Sequence, residues 1–349
     1  MKSIFTFLCI VWSTLLCGQI GGNNVYEFLN TSPSARITAL GGNLITIRDN
    51  DLNLAYANPA SLNKTMHQGI AFNYNFHVAG ISEGYAAYAH HVDKLGLTFH
   101  AAAKFLSYGE FQATDEFGNI NGTFQARDNA FVIGASRTLY ENLSVGVNVK
   151  AISSTLETYN SFGLSSDLTV MYHDTSSQFN ITLVAKNIGT QITRFNDVRE
   201  DLPFEMQIGI SKMLKHLPFR WSIIYTNLNR WNVLFDDPND EENTLIIGDL
   251  ETEDGPFEVF FDNLGRHFIV NGEFLFGKRK MFNIRFGYNH LLKKELEERT
   301  LKSIAGFSYG VGFRLKMFQI AYGHTRYHLA GGTNHLSIST NLQRFTKRL

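Results

Sequence analysis

The sequence predicts an all-β fold: a transmembrane antiparallel β-barrel of about 14 strands, with an N-terminal segment plugging the lumen. From residue 68 onward, apolar and polar residues alternate with a period of two, which is the period of a β-strand. Many alternating segments extend over roughly ten residues, the length that crosses a bilayer at a tilt. The connections alternate between short and long, as they do in bacterial outer-membrane barrels.

Composition favours strands with one apolar and one polar face. Charged residues make up 18% of the chain and aromatic residues 13%, whereas an average soluble protein has roughly 25% charged residues. The mean hydropathy is nevertheless slightly negative, at -0.12, because every second strand residue is polar. The formal net charge of -1 and the absence of a basic arm argue against a nucleic-acid partner.

Residues 1–18 have the pattern of a secretory signal peptide. Lys2 precedes an apolar run over 4–16, which is too short to anchor the chain in a membrane. Gly18 offers a small residue for cleavage, which leaves Gln19 as the first residue of the mature chain.

A lipid-modified Cys17 is the alternative interpretation of this segment. Leu16 argues against it, because a lipoprotein signal has a small residue before its cysteine. Both cysteines, Cys9 and Cys17, lie within 1–18. The mature chain therefore has neither a disulfide scaffold nor a thiolate metal site.

The barrel is predicted over 67–349, and no run in it reaches the roughly 18 apolar residues of a spanning helix. The alternation predicts strands at 68–77, 83–92, 95–107, 127–138, 142–156, 162–173, 178–188, 203–214, 217–228, 266–277, 280–290, 302–314, 316–326 and 334–345. The links after even-numbered strands are brief. Those after odd-numbered strands are mostly long, at 108–126, 189–202, 229–265 and 291–301. Short periplasmic turns and long external loops place both termini in the periplasm.

Residues 19–66 lack the alternation and are predicted to plug the lumen. Eight strands enclose an interior that side chains can fill, whereas sixteen leave a water channel, so a lumen of fourteen strands needs a filling. Ser34 is predicted to cap a short helix that ends at Gly41 and Gly42, where the chain can reverse. Asn58 and Pro59 favour a turn.

Arg36 is the charged residue of this segment that we expect to face the barrel wall. It is predicted to pair with a lumenal carboxylate such as Glu205 or Glu273. The alternative is an exposed arginine on a periplasmic helix.

The segment also carries a family resemblance. The residues that carry it are Phe28, Leu29, Ser34, Ala35, Arg36, Leu40, Gly41, Gly42, Asn58, Pro59 and Ala60, with the stretches 47–54, 186–192 and 202–205 in support. With about fourteen strands following, the chain resembles the PorV/PorQ family of FadL-like barrels in the Bacteroidetes type IX secretion system. The resemblance covers nearly the whole mature chain. The Asn-Pro-Ala element is shared with barrels of other function, and the chain ends four residues beyond Phe345 instead of on an aromatic residue.

This resemblance implies a non-enzymatic part of an attachment complex in the outer membrane of a Gram-negative bacterium. It implies a PorZ-like surface protein as partner, together with a PorU-like sortase, a PorV-like barrel, outer-membrane lipid and lipopolysaccharide. Two other functions stay open. A FadL-type transporter of hydrophobic small molecules would use 19–66 as a movable hatch, and an open porin would conduct ions.

The long external loop 229–265 is the candidate partner-binding site. It combines acidic residues with an apolar patch, a composition that suits protein docking. The candidate residues are Asp236, Asp237, Asp240, Glu241, Glu242, Leu245, Ile246, Ile247, Phe257 and Phe260. A solvated loop and a divalent-cation site are the alternatives, although the EF-hand spacing is absent. Loop 290–301 is predicted to form a short amphipathic helix beside it.

The search for catalytic chemistry is negative. The histidines, including His90 and His91, do not form a spaced ligand set. Gly310 and Gly312 lack the partners of a nucleotide-binding loop and are interpreted as relieving barrel curvature. No nucleophile elbow or carboxylate pair stands out. We therefore predict no enzyme activity, no cofactor and no metal.

Overall fold

The computed structural model describes residues 24–196, 198–234, 256–277, 280–296, 304–328 and 331–346. In it, fourteen antiparallel strands form one closed barrel, in which consecutive strands pair and β1 pairs with β14. The strands are β1 Gly69–Phe76, β2 Ser82–Val92, β3 Leu97–Thr114, β4 Ile120–Tyr140, β5 Leu143–Leu156, β6 Tyr159–Asp174, β7 Phe179–Thr193, β8 Glu205–Met213, β9 Phe219–Tyr225, β10 Phe268–Phe276, β11 Phe282–Asn289, β12 Phe307–Leu315, β13 Phe318–His328 and β14 Gly331–Asn341. The predicted all-β barrel is confirmed.

The two faces of the wall follow the alternation of the sequence. Outward side chains are apolar and exposed, with Phe72 at 59%, Phe131 at 63% and Ile133 at 68% of full exposure. Inward positions between them are polar and buried, as at Asn73 and Asn148. A soluble barrel would have the opposite arrangement, so this outward face is typical of a strand set that contacts lipid.

The two ends of the barrel differ in their connections. One end carries the turns 93–96, 141–142, 175–178, 214–218, 277–281 and 316–317, together with the start of β1 and the end of β14; we call it the turn end. The opposite end, here the loop end, carries the longest connections, 194–204, 226–267 and 290–306. This asymmetry matches the predicted alternation of short and long links.

Five short α-helices complete the described chain. They are α1 Ala35–Ala39, α2 Leu54–Ala57, α3 Pro256–Arg266, α4 His290–Glu295 and α5 Gln343–Thr346. Single 3-10 turns occur at Glu27–Asn30, Pro59–Ser61, Lys64–Met66 and Val78–Gly80. Among the helices of the described ranges, none has the length and apolar character to cross a membrane. The short helix expected in 290–301 is α4.

One predicted loop is wrong. Residues 108–126 mostly continue β3 and β4, which extend over 18 and 21 residues and turn at 115–119. This outer part of the hairpin is exposed on both faces, so it lacks the one-sided burial that produces alternation. Stacked aromatic rings of Phe111 and Phe124, with centroids 5.2 Å apart, support the pairing instead.

Candidate functional site in the lumen

Residues 24–66, here called the lumen segment, lie inside the barrel. Most of their side chains are buried, and they form hydrogen bonds with side chains from thirteen of the strands. The partners in the wall are Asn73, Glu83, Lys104, Thr138, Asn148, Ser161, Lys186, Ser211, Arg220, Glu273, Asn289, Ser308 and Ser337. The segment is therefore attached around nearly the whole circumference.

The lumen segment crosses the barrel from one end to the other. At the loop end, the Val25 backbone N–H donates to the Asp201 carbonyl at 2.9 Å. At the turn end, Lys64 pairs with Asp93 at 2.5 Å, close to where β1 begins. The described chain thus starts at the loop end, whereas β14 ends at the turn end. The mature N-terminus expected at Gln19 lies outside the described residues, so the expectation that both termini lie at the turn end stays a prediction. Signal residues 1–18 lie outside the described residues.

The first half of the segment turns at α1. The Ser34 side chain accepts a hydrogen bond from the Ile37 backbone N–H and caps the helix, as predicted. Gly41 and Gly42 have φ angles of 92° and 83°, which a residue with a side chain rarely adopts. The Gly42 N–H donates back to the Ile37 carbonyl, which closes the helix and reverses the chain.

The second half is fixed by Asn58 and Pro59. The Asn58 Nδ2 donates to the Ile45 carbonyl at 2.6 Å, which joins two parts of the segment. Pro59 opens a 3-10 turn, where its missing N–H costs nothing. This turn packs on Gly146 of β5, where a Cβ atom would lie 2.3 Å from the Ala60 nitrogen. The wall thus needs glycine at this position.

Glycines in the wall also leave room for helix α1. Inward-facing Gly310 and Gly323 lie on β12 and β13, and an added Cβ would approach the Ala39 Cβ to 2.5 Å and the Ala35 carbonyl oxygen to 2.1 Å. A Cβ at Gly287 would lie 2.3 Å from the Gly41 nitrogen. The interpretation of Gly310 as a curvature residue stays a prediction. The structure adds a second reason for glycine at this position, which is room for the lumen segment.

Arg36 is the centre of a buried ion-pair cluster. Its Nε and Nη2 donate to Glu273 at 2.9 Å each, so the pair is bidentate. Its Nη1 donates to Asp51 at 3.0 Å, and both Nη atoms donate to Asp49, at 3.2 and 2.9 Å. Of the two carboxylates proposed from the sequence, Arg36 pairs with Glu273 and not with Glu205.

Two wall arginines complete this cluster. Arg220 contacts Glu273 at 2.8 Å and Asp49 at 3.4 Å, and Arg285 Nε donates to Glu273 at 2.9 Å. Three guanidinium groups thus face three carboxylates, which makes the core of the cluster neutral. Sequence spacing does not reveal it, because Asp49, Arg220, Glu273 and Arg285 come from four separate elements.

A second set of buried charges lies on the opposite wall. Lys104 pairs with Glu83 at 3.1 Å, and Lys150 pairs with Asp167 at 2.8 Å. Both ammonium groups lie over the ring of Tyr56, at 4.7 and 5.0 Å from its centroid. The lumen segment therefore supplies an aromatic ring between two lysines, a cation–π arrangement that the sequence does not indicate.

A cavity lies beside the lumen segment at each end of the barrel. The loop-end cavity measures about 480 Å³ and is lined by Glu27, Asn43, Phe204, Ile269 and Leu292, among others. The turn-end cavity measures about 150 Å³ and is lined mostly by charged and amide side chains. Arg36 lines one and Gly41 the other, so α1 separates them.

The candidate partner-binding loop is described only in part. Asp236, Asp237, Asp240, Glu241, Glu242, Leu245, Ile246 and Ile247 lie outside the described residues. Phe257 and Phe260 lie on α3, with 80% and 48% of their surface exposed. The ring of Phe260 packs on Trp231, which stacks on His267. The described part of this loop therefore presents an aromatic surface at the loop end.

Helix α3 is connected to α4 through Asp262. Its carboxylate contacts Arg266 at 2.8 Å, Lys294 at 3.3 Å and the His290 ring at 3.4 Å. Burial opposes the charge of Asp262, but Arg266 and Lys294 outweigh it and hold the pKa of Asp262 below its usual value. Within the described ranges, no group of three His, Cys, Asp or Glu side chains has a metal-binding arrangement.

These features define a membrane-type β-barrel whose lumen is occupied by its own N-terminal segment. No protein-family model matches the chain, and no curated protein matches it. Among solved structures, the chain is similar to TodX, the toluene transporter of Pseudomonas putida, with 10% identity over 88% of this chain and 96% of TodX and a TM-score of 0.47. It is similar to the monoaromatic hydrocarbon channel CymD, with 12% identity, 88% and 96% coverage and a TM-score of 0.47. A FadL homologue of Pseudomonas aeruginosa gives 9% identity, 89% and 98% coverage and a TM-score of 0.47.

Proposed function

We propose that this chain is an outer-membrane barrel protein whose lumen is sealed by residues 24–66 and whose loop end holds a surface protein. The apolar outward face supports the membrane location. Short turns at one end support a periplasmic turn end and an external loop end. The observation that carries the seal is Arg36, whose five N–H groups all donate to carboxylates of the segment or the wall.

The resemblance of the sequence supplies the finer proposal. Among the barrels of the type IX secretion system the chain most resembles PorQ, which implies an attachment complex. The partner would be a PorZ-like surface protein, with a PorU-like sortase, a PorV-like barrel and lipopolysaccharide nearby. The exposed aromatic surface around Phe257, together with the acidic residues that precede it in sequence, supports docking at the loop end.

Uptake of hydrophobic small molecules is the second candidate function. The loop-end cavity of about 480 Å³ favours it, because Phe204, Ile269 and Leu292 give part of its lining an apolar character. Of the structures named above, TodX is a toluene transporter and CymD is a monoaromatic hydrocarbon channel. The deeper lumen argues against an apolar path, since buried Lys104, Lys150 and their acidic partners line it.

Deletion of 236–256 tests the docking proposal. A tagged barrel purified from native outer membrane is expected to retain its surface partner, as identified by mass spectrometry, and the deletion to release it. Shortening the β3–β4 tip at 115–119, also at the loop end, is the control and should leave the partner bound. Equal retention by both variants would remove this loop from consideration.

Substitution of one exposed ring gives a finer test. Phe257→Asp is expected to weaken partner retention without unfolding the barrel, because 80% of this side chain is exposed. Phe117→Asp at the β3–β4 tip is matched to it, since Phe117 is 88% exposed. A partner lost to the same extent from both variants would indicate non-specific surface effects and contradict docking on α3.

Transport and conductance are tested on the purified barrel. A sealed lumen predicts no ion conductance in a planar bilayer and no saturable uptake of an aromatic hydrocarbon into liposomes. Stable single-channel conductance of the wild type would indicate an open porin. Saturable uptake that is lost on filling the loop-end cavity by Ile269→Trp would favour the transporter instead.

A further inference from the structure

The turn-end cavity contains charges that the sealing contact does not use. It lies between residues 49–51 of the lumen segment and strands β9 to β14. Its lining includes Arg36, Arg220, Lys280, Arg285 and Arg314, whereas its acidic lining residues are Asp49 and Asp51. With Glu273 behind them, the described residues place five cationic groups and three carboxylates at this cavity.

Arg285 is the best-placed of these cations. It is 6% exposed, and its Nε donates to Glu273 at 2.9 Å. Its Nη1 is buried and has no hydrogen-bond partner among the described residues. Arg36 differs, since all of its N–H groups are used. A buried guanidinium N–H without an acceptor is costly, and an added acceptor would offset that cost.

The wall packs closely on this nitrogen at Gly312. A Cβ atom at Gly312, which also lines the cavity, would lie 2.8 Å from Arg285 Nη1. A side chain at 312 would therefore force the guanidinium to shift. Glycine at this position lets Arg285 keep its place in the lining of the cavity.

Lys280 lies at the turn between β10 and β11, where the cavity meets the turn end. Its side chain is exposed and reaches toward Met213, with 3.7 Å between Nζ and the sulfur. Although the residue as a whole is exposed, its ammonium group is partly desolvated, and this desolvation together with the charge of Arg220 lowers the pKa of Lys280 below its usual value.

We propose that the turn-end cavity binds a small soluble oxyanion, of the phosphate or carboxylate class, through Arg285 Nη1, Arg220 and Lys280. Guanidinium and ammonium groups in a partly buried site are the usual donors to such anions. A cavity of about 150 Å³ has room for roughly five waters at about 30 Å³ each. That space suits inorganic phosphate or a short carboxylate.

A soluble anion fits better than a lipid headgroup. The cavity lies inside the closed strand ladder, because Arg220, Arg285 and Ser337 of its lining are inward-facing and buried. A lipid in the bilayer would have to pass between paired strands to reach it. An anion from the periplasm enters at the turn end. This site is separate from the loop-end surface of the proposed function.

Thermal unfolding and calorimetric titration of the detergent-solubilised full chain with inorganic phosphate test the proposal, with chloride at matched ionic strength as reference. We expect saturable binding and a raised melting temperature for the wild type. Lys280→Gln should weaken phosphate binding tenfold or more and leave the melting temperature in chloride unchanged. Lys64→Gln is the control, because Lys64 is at the same end but pairs with Asp93 outside the cavity.

Two further binding measurements complete the experiment. Arg285→Lys keeps the charge and shortens the reach, so it should weaken phosphate binding while the barrel stays folded. Short-chain phosphatidic acid, a lipid with an exposed phosphate, should bind no better than phosphate. Absence of wild-type phosphate binding, equal losses in Lys280→Gln and Lys64→Gln, or tight binding of the lipid alone would each overturn the proposal.

Discussion

Replacing Arg36 by methionine should release the lumen segment without unfolding the barrel. Methionine has similar length and removes five hydrogen bonds to Asp49, Asp51 and Glu273, at 2.9 to 3.2 Å. The core of the cluster then changes from three cations against three carboxylates to two against three. The wall keeps its fourteen paired strands, so the effect is confined to the segment.

The magnitude follows from the geometry. Removing one partner of a buried ion pair costs about 3–5 kcal/mol, because it leaves an uncompensated charge. Since about 1.4 kcal/mol corresponds to a tenfold change in an equilibrium constant, the open state of the segment should become at least about a hundredfold more populated. Arg36→Lys keeps the charge but loses the forked geometry, so its effect should be intermediate.

Amide hydrogen exchange measures this opening directly. The N–H groups of Thr38, Gly42 and Asn58 are bonded within the segment and report on it. Arg48→Met is the matched control, because Arg48 lies in the same segment and donates to Thr138 at 3.2 Å. If these three amides exchange equally fast in Arg36→Met and Arg48→Met, the ion-pair cluster does not hold the segment.

Three more predictions address the wall, the outer face and the loop end. Gly323→Ala should displace α1 and cost about 1–3 kcal/mol, whereas Gly122→Ala, whose Cβ would meet nothing within 4 Å, should not; thermal unfolding in detergent compares them. Phe131→Lys, on the outward face, should reduce the free energy of unfolding in lipid by up to about 2–4 kcal/mol. Refolding in detergent, where no bilayer is present, should show little effect of this substitution. Because the pKa of Asp262 is lowered in the folded chain, its stabilisation of the α3–α4 contact should be complete above the usual carboxyl pKa of about 4 and be lost as pH falls below it. Trp231 fluorescence reports this loss, and Asp262→Asn should abolish the pH dependence.

The sequence predicts the wall better than the contents of the lumen. Period-two alternation predicts all fourteen strands, because in each pair of neighbouring residues the apolar one marks the outward face. The predicted strand boundaries are wrong where this alternation is absent. An example is the β3–β4 hairpin beyond Ser107, where both faces are exposed. The local signals of the lumen segment also hold: Ser34 caps α1, Gly41 and Gly42 end it, and Pro59 starts a turn.

Contacts between the segment and the wall need three-dimensional information. Arg36 signals a lumenal partner, but only the closed barrel brings Asp49, Arg220, Glu273 and Arg285 around it. The inward glycines show the same limit, since curvature and a close neighbour both call for glycine. The direction in which the segment crosses the lumen is likewise a property of the assembled chain.

The two sides of the lumen differ in what holds the segment. On the β2–β7 side, Lys104 and Lys150 pair with Glu83 and Asp167 of the wall itself, so that side stays neutral when the segment moves. On the β9–β11 side, Arg36 of the lumen segment pairs with charged groups of the wall. When the segment moves away, those wall charges lose Arg36 as their partner.

Both cavities lie on this second side, with α1 between them. A path through the barrel therefore requires the Arg36–Glu273 contact to break and α1 to leave, whereas the Tyr56 side can remain packed. Conductance of Arg36→Met measured beside its hydrogen exchange separates the two functions. An opened segment with new conductance means that this one contact seals the barrel. An opened segment without conductance means that the rest of the lumen segment is enough to keep it closed.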